Sequence, residues 1–166
     1  MNGTELEKII NKYSKLLWSV SSKVLDGVGN EQDVEECVAD VFIDLWRYPE
    51  SFDPGRGSLK TWLSMKCRSK SIDRFRRLTV HAYDELSPEQ VSDMLGPADE
   101  VVMKESASKL RELIGALDDP AREIMIRRFW LEQKPSEISA ALDLPVRKVE
   151  NIIFRTKQKL KDELGG

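Results

Sequence analysis

Leu6, Ile9, Ile10, Tyr13, Leu16, Leu17, Val20 and Val24 recur every three or four residues, a spacing that gathers them on one stripe of an α-helix and would scatter them over both faces of a strand. The same period returns in nearly every segment that has one. No stretch sustains the alternation of apolar and polar residues that a half-buried strand requires. An all-α fold is expected. With 40% of 166 residues apolar, such helices can bury one ordinary core or two small ones.

Punctuation divides the stripes. Thr4 is placed to cap the first helix with Glu7 reaching back, and Gly27 and Gly29 end it. Asn30 caps a second helix whose stripe is Val34, Cys37, Val38, Val41, Phe42, Leu45 and Trp46, and Pro49 stops it. The turn-rich loop SFDPGRGS follows, with Ser58 capping a third helix that carries Leu59, Trp62, Leu63, Ile72 and Phe75. Residues 78–98 lack a convincing stripe and contain Pro88, Gly96 and Pro97, which marks a flexible linker and favours two small helical domains, 1–77 and 99–166. The second is expected to begin near Asp99 with Val102, Ser106, Leu110, Leu113 and Leu117 on one face. Asp119 then caps a helix with Pro120 in its first turn, and Ile124, Met125 and Phe129 point inward. Helices from Pro135 to Leu142 and from Val146 to about Glu163 complete the domain.

Charge is segregated along this framework. Between 31 and 50 seven acids stand against Arg47 alone; between 60 and 77 seven bases stand against Asp73 alone. Residues 78–103, the linker and the start of the second domain, hold six acids and no Lys or Arg, and 147–161 turns basic again. A net charge of -3 therefore says little about partners, because each segment presents its own sign.

The stretch SEISAALDLPVRKVENIIFRTKQKL has the form of a helix-turn-helix: small residues Ser139, Ala140 and Ala141 on a first helix, a short turn, then a basic second helix. Val146, Val149, Ile152, Ile153 and Leu160 are expected in the core, leaving Arg147, Lys148, Asn151 and Arg155 outward for base edges and phosphates. In RSKSIDRFRR and the residues before it, bases interleave with aromatics, which suits a surface that tracks a single strand. The acids of 31–50 do not serve DNA, and with Ile43 or Trp46 beside them they suggest a protein partner.

Several classes are disfavoured. Cys37 and Cys67 stand apart, His81 is the single histidine, and no phosphate-binding GxxxxGK[ST] loop occurs, so no metal site, cofactor, catalytic constellation or small-molecule substrate is expected. No apolar run approaches the roughly 20 residues of a membrane span, and MNGTELEKII is charged; no membrane insertion and a cytoplasmic location are expected.

Three blocks together resemble a bacterial sigma factor of the extracytoplasmic-function (ECF) group, with its regions 2 and 4. VEECVADVFIDLW resembles the family's segment that binds the clamp helices of core RNA polymerase. FDPGRGSLKTWLSMKCRSKSIDRFRR resembles the segment that recognises and melts the −10 element. LRELIGALDDPAREIMIRRFWLEQKPSEISAALDLPVRKVENIIFRTKQKLKDEL resembles region 4, which reads the −35 element and touches the polymerase flap. The resemblance implies Glu36, Asp40, Ile43 and Asp44 as clamp-facing positions, with Trp46 in the core. It places the loop Phe52 to Ser58 beside an extruded −10 base, with Lys60, Arg68, Ser69, Arg74 and Arg76 on the non-template strand. Arg147, Lys148, Asn151 and Arg155 would face the −35 major groove. The partners implied are bacterial core RNA polymerase, promoter DNA and an anti-sigma factor, in a stress or envelope response, with the acidic linker threading a positively charged polymerase channel. Ser69 departs from the family's usual Asn, Glu150 and Ile152 from usually basic positions, Lys134 from the usual capping Ser, and Asp143 from the usual turn Gly. The competing reading is a helix-turn-helix regulator that binds duplex DNA as a dimer without polymerase.

Overall fold

A computed structural model describes the backbone of residues 1–80, 88–95 and 100–165, and the side chains of these except 88, 91, 92, 95 and 100–106. The described residues are helical throughout their regular structure and divide into two compact units, Met1–Leu78 and Thr79–Gly166.

The first unit is built from α1 (Gly3–Leu25), α2 (Glu31–Arg47) and α3 (Leu59–Leu78), with a short 3₁₀ turn, Pro49–Ser51, after α2. α1 is capped two residues earlier than expected: Asn2 Oδ1 accepts from Glu5 N at 2.9 Å, so Asn2 and Glu5, rather than Thr4 and Glu7, close the N-terminus. An Asn-Gly pair offers the stronger acceptor first, and Gly3 meets nothing that would resist the turn. α2 is capped by Asn30, with Asp33 answering from the third position at 2.9 Å. Ser58 caps α3 by accepting from Thr61 N at 3.2 Å.

Leu17, Val24 and Leu25 of α1, Val34, Cys37, Val38, Val41, Phe42 and Leu45 of α2, and Leu63, Cys67 and Phe75 of α3 form the core. Where the helices meet, the side chains are small and partly polar: Ser71 Oγ donates to Ser21 Oγ at 2.8 Å and Cys67 Sγ to the Leu17 carbonyl at 3.3 Å. Small side chains let the helices approach closely. The mutual bond spares each buried hydroxyl a desolvation penalty of about 1–3 kcal/mol.

The second unit contains α4 (Pro88–Leu95), α5 (Glu100–Gly115), α6 (Ala121–Phe129), α7 (Pro135–Leu142) and α8 (Val146–Gly165). α4 lies inside the stretch read from sequence as linker. Its Met94 is 1% exposed and joins Ala107, Leu110, Ile114, Met125 and Leu160 in the core. At its start Leu78 still belongs to α3 and Thr79 is buried, so the stretch is shorter than expected there too; its residues 81–87 and 96–98, with His81, Asp84 and Glu85, lie outside the described residues, as do Asp99 and the side chains of Val102 and Ser106. α6 begins at Ala121 with Pro120 as its N-cap, one residue later than the expected arrangement of Asp119 and Pro120.

Sequence periodicity gave no warning of the charge that α6 buries. Arg127 is 0% exposed, with Nη2 donating to Glu123 Oε1 at 3.1 Å and Nη1 to Gln133 Oε1 at 3.3 Å. Gln133 also returns its backbone N–H to the Arg127 carbonyl at 2.9 Å, which ties the α6–α7 corner.

Candidate nucleic-acid and protein interfaces

α7 and α8 make the expected helix-turn-helix. Asp143 takes the left-handed conformation (φ 55°, ψ 46°) at the end of α7, a geometry that Asp tolerates because its short polar side chain can bond locally. Ser139 locks the turn from both sides: its hydroxyl donates to the Leu144 carbonyl, while its own carbonyl accepts from Leu144 N at 3.2 Å. Lys134 offers α7 no acceptor; instead Glu137 reaches back to Lys134 N at 3.4 Å. On α8, Val149, Thr156 and Leu160 are buried, and Arg147, Lys148, Asn151 and Arg155 are all exposed on the opposite side. Val146, expected in the core, is 39% exposed. Phe154, at 64% exposure, shares the outward face with Arg147 and Asn151 and was not anticipated. Its signal was available, since position 154 follows 147 and 151 at helical spacing. Lys157 turns away to lie 5.1 Å from the centre of the Phe129 ring, where burial, then Arg128 and Lys161, hold its ammonium below the usual lysine value.

In the first unit, the loop between α2 and α3 encloses a cavity of about 360 Å³ bordered by Phe52, Asp53, Ser58, Thr61, Trp62 and Met65. The Phe52 and Trp62 rings meet edge to face, centroids 5.9 Å apart. Asp53 Oδ1 accepts from Gly55 N at 2.9 Å and its other oxygen faces Arg56 at 3.6 Å, which orders the loop. Lys66 Nζ lies 5.5 Å from the Trp62 ring centre. At 100° per residue, Trp62, Met65, Ser69 and Arg76 line the side of α3 opposite its buried Leu63, Cys67, Ser71 and Phe75. Of the five residues expected on the −10 strand, Ser69 and Arg76 share this face with the cavity. Lys60 is exposed in the first turn, and Arg68 is half-buried on the flank.

Arg74 does not extend into solvent. Its Nη1 donates to Asp33 Oδ1 and its Nη2 to Glu36 Oε2, both at 2.8 Å, and its side chain is 18% exposed. Lys70 Nζ meets Asp44 Oδ2 at 2.7 Å. The opposite charges of α2 and α3 therefore partly neutralise each other across the helix pair. The backbone N–H of Asn30, with Arg74 assisting, lowers the Asp33 carboxyl below its ordinary value against the opposing effect of burial.

The other side of α2 is apolar. With α1 it forms a groove of about 510 Å³ whose walls include Leu6, Ile10, Trp18, Phe42, Ile43 and Trp46. Trp46, expected in the core, is 47% exposed, beside Ile43 at 43% and Trp18 at 40%. The seam of α1, α2 and α3 is already filled by Val34 through Leu45, and among the described residues no helix covers the edge where Trp46 emerges. Asp40 and Glu36 are exposed along the same helix, and Asp44 is half-buried. Of the four expected protein-facing residues, Ile43 lines this groove, Asp40 is exposed along the same helix, and Glu36 and Asp44 are turned toward Arg74 and Lys70 of α3.

Comparison with known proteins follows the same division. The family model for Sigma-70 region 2 matches residues 9–80, and that for Sigma-70, region 4 matches residues 107–160. The RNA polymerase sigma factor CnrH of Cupriavidus metallidurans is 30% identical over 139 residues, covering 78% of this chain and 72% of the relative. The ECF RNA polymerase sigma factor RpoE of Cereibacter sphaeroides is 26% identical over 132 residues, covering 78% and 71%. The ECF RNA polymerase sigma factor SigW of Bacillus subtilis is 25% identical over 166 residues, covering 94% and 87%. Both halves match in the order that the two units follow, and the helix-turn-helix falls inside the second match: the chain belongs to the ECF group of the sigma-70 family, the transcription initiation factors that partner core RNA polymerase and promoter DNA.

Proposed function

We propose that residues 1–77 bind core polymerase through α2 and capture the −10 element through α3 and its preceding loop, while 99–166 read the −35 element through α8. The observation that carries this assignment is the two-sidedness of the first unit. An acidic strip beside an apolar groove occupies one helix, and a basic face with an aromatic-lined cavity occupies the next. Glu36, Asp40, Ile43 and Asp44, extended by Trp46 and Trp18, suit a helical partner with both apolar and basic side chains. Phe52 and Trp62 offer a platform for an extruded base, with Ser69 within the same face for an edge contact. Lys60, Arg68 and Arg76 supply phosphate contacts, whereas Arg74 is held on α2 in the free chain.

In the second unit Arg147, Lys148, Asn151 and Arg155 take the major groove, with Phe154 available to a thymine methyl group. The acidic stretch between the units suits a positively charged channel of the polymerase. An anti-sigma factor that covers α2 would silence the protein until an envelope or other stress removes it.

Run-off transcription from a promoter library with purified bacterial core polymerase tests this reading. Specific initiation that depends on both elements is expected. Arg147→Ala should weaken −35-dependent promoters by about 1–3 kcal/mol if it makes a specific base contact; an unchanged −35 preference would remove that role from Arg147.

A further inference from the structure

Two cations of α3, the helix assigned to DNA, are bonded to two acids of α2, the helix assigned to polymerase. Lys70 Nζ lies 2.7 Å from Asp44 Oδ2, and Arg74 Nη2 lies 2.8 Å from Glu36 Oε2. These carboxylates are within a partner's reach, at 34% and 47% side-chain exposure. Asp33, which holds the other end of Arg74, is not: its side chain is 17% exposed and also accepts from the Asn30 backbone. Lys70 therefore has one outward-facing partner, and Arg74 has one outward-facing and one enclosed.

We propose that α2 is a charge lock on α3: in the free protein Glu36 and Asp44 withhold Arg74 and Lys70 from DNA, and a basic polymerase surface that takes these carboxylates releases the two cations to non-template-strand phosphates. The inference rests on the sigma-factor reading above and adds to it an order of events. A cation already paired with a carboxylate gains little from a phosphate, because it must give up one anion to meet another. Once polymerase side chains satisfy Glu36 and Asp44, that cost disappears. Partly exposed pairs contribute little each, so a partner with modest differential affinity can shift them. Lys70 is then free on its flexible stem, while Arg74 keeps its bond to Asp33 and presents only Nη2. Arg74 thus keeps α3 seated on α2 through Nη1 while its Nη2 becomes available to a phosphate. By linkage, DNA on α3 must tighten polymerase on α2 by the same factor.

The test uses the full chain without polymerase and a fluorescent single-stranded oligonucleotide, with binding followed by anisotropy across a potassium chloride series. Glu36→Gln with Asp44→Asn opens the lock and leaves Asp33 to seat Arg74. Glu31→Gln with Glu35→Gln removes the same charge from acids that have no ion pair among the described residues. The lock variant should bind about three- to twenty-fold more tightly than wild type, from two pairs of up to about fivefold each. Its salt slope should steepen by about 0.7 for each phosphate newly met. Adding Lys70→Ala should remove part of that gain. Affinity unchanged from wild type, an equal gain in the Glu31/Glu35 variant, or a gain fully retained after Lys70→Ala would each overturn the proposal. Promoter opening by the wild-type holoenzyme is measured alongside: its failure would remove the sigma-factor assignments themselves, whereas opening without a lock effect would remove only the lock.

Discussion

Asp33 shows how much one side chain can hold. One of its oxygens closes the N-terminus of α2 through Asn30 N at 2.9 Å, and the other bonds Arg74 at 2.8 Å. Asp33→Ala removes both and should cost about 1–2 kcal/mol, read by urea denaturation of the full chain with tryptophan fluorescence. Because folding lowers this carboxyl, its contribution is fully present above the unfolded value of about 3.9 and is lost as pH falls through the folded one. The gap between wild type and variant should therefore close below about pH 4; a gap that persists in acid would mean the loss is not electrostatic. The thiols are the opposite case. Burial pushes Cys67 up to about 11 and also raises Cys37, so little thiolate exists at neutral pH. Iodoacetamide at pH 8 should label neither in the folded protein and both in urea, as mass spectrometry would show. At this scale the sequence was informative where partners are local, as with Asn30 and Ser58. It was silent where they are distant: the signs of Asp33, Glu36 and Arg74 were plain, but their meeting depends on how α2 packs on α3.

Elements were legible in proportion to their length and pattern. α7 matched its expected bounds and α8 ran two residues beyond them, because Pro135, Asp143 and a clean 3.6-residue period mark them. α4 was not legible: eight residues with buried Met94 as an anchor give no stripe to detect, and Pro88, which suits a first helical position, has in sequence the same appearance as a helix breaker. The charge pair in α6 was hidden for a different reason, since Glu123 and Arg127 four residues apart have the pattern of a surface pair. Their burial makes them unequal to one. Glu123→Ala would remove the carboxylate that Arg127 meets at 3.1 Å where the guanidinium is 0% exposed, and should cost the second unit about 3–5 kcal/mol. Replacing both by Met should recover most of that, because two apolar chains need no partner. Denaturation and binding to a −35 duplex should fall and recover together. If the double variant is no better than Glu123→Ala, the pair holds the corner by geometry that an apolar contact cannot replace.

For the whole molecule, segregated charge is more telling than its sum. A protein of net charge -3 approaches DNA only where its bases are gathered, and in the first unit α2 offsets part of that gathering. Capturing an extruded base costs a few kcal/mol of unstacking, and each further step of a bubble adds roughly 1.4 kcal/mol. The face of Trp62, Ser69 and Arg76 offers a few contacts against that sum. The purified chain should therefore open no promoter alone, at any salt, and should do so with core polymerase. Lys60→Glu with Arg76→Glu reverses two exposed cations outside the core, one of them paired to a neighbouring Asp73 at 3.3 Å, so folding should survive. On the assignment made for α3, this variant keeps its association with core polymerase on size-exclusion chromatography, keeps its −35 preference in closed complexes, and loses permanganate-reactive thymines at the −10 element. Loss of polymerase association instead would place the partner surface on α3, since neither substituted residue lies on α2. Undiminished melting would move strand capture to the rim of the Phe52–Trp62 cavity, where aromatic stacking rather than charge would hold the base.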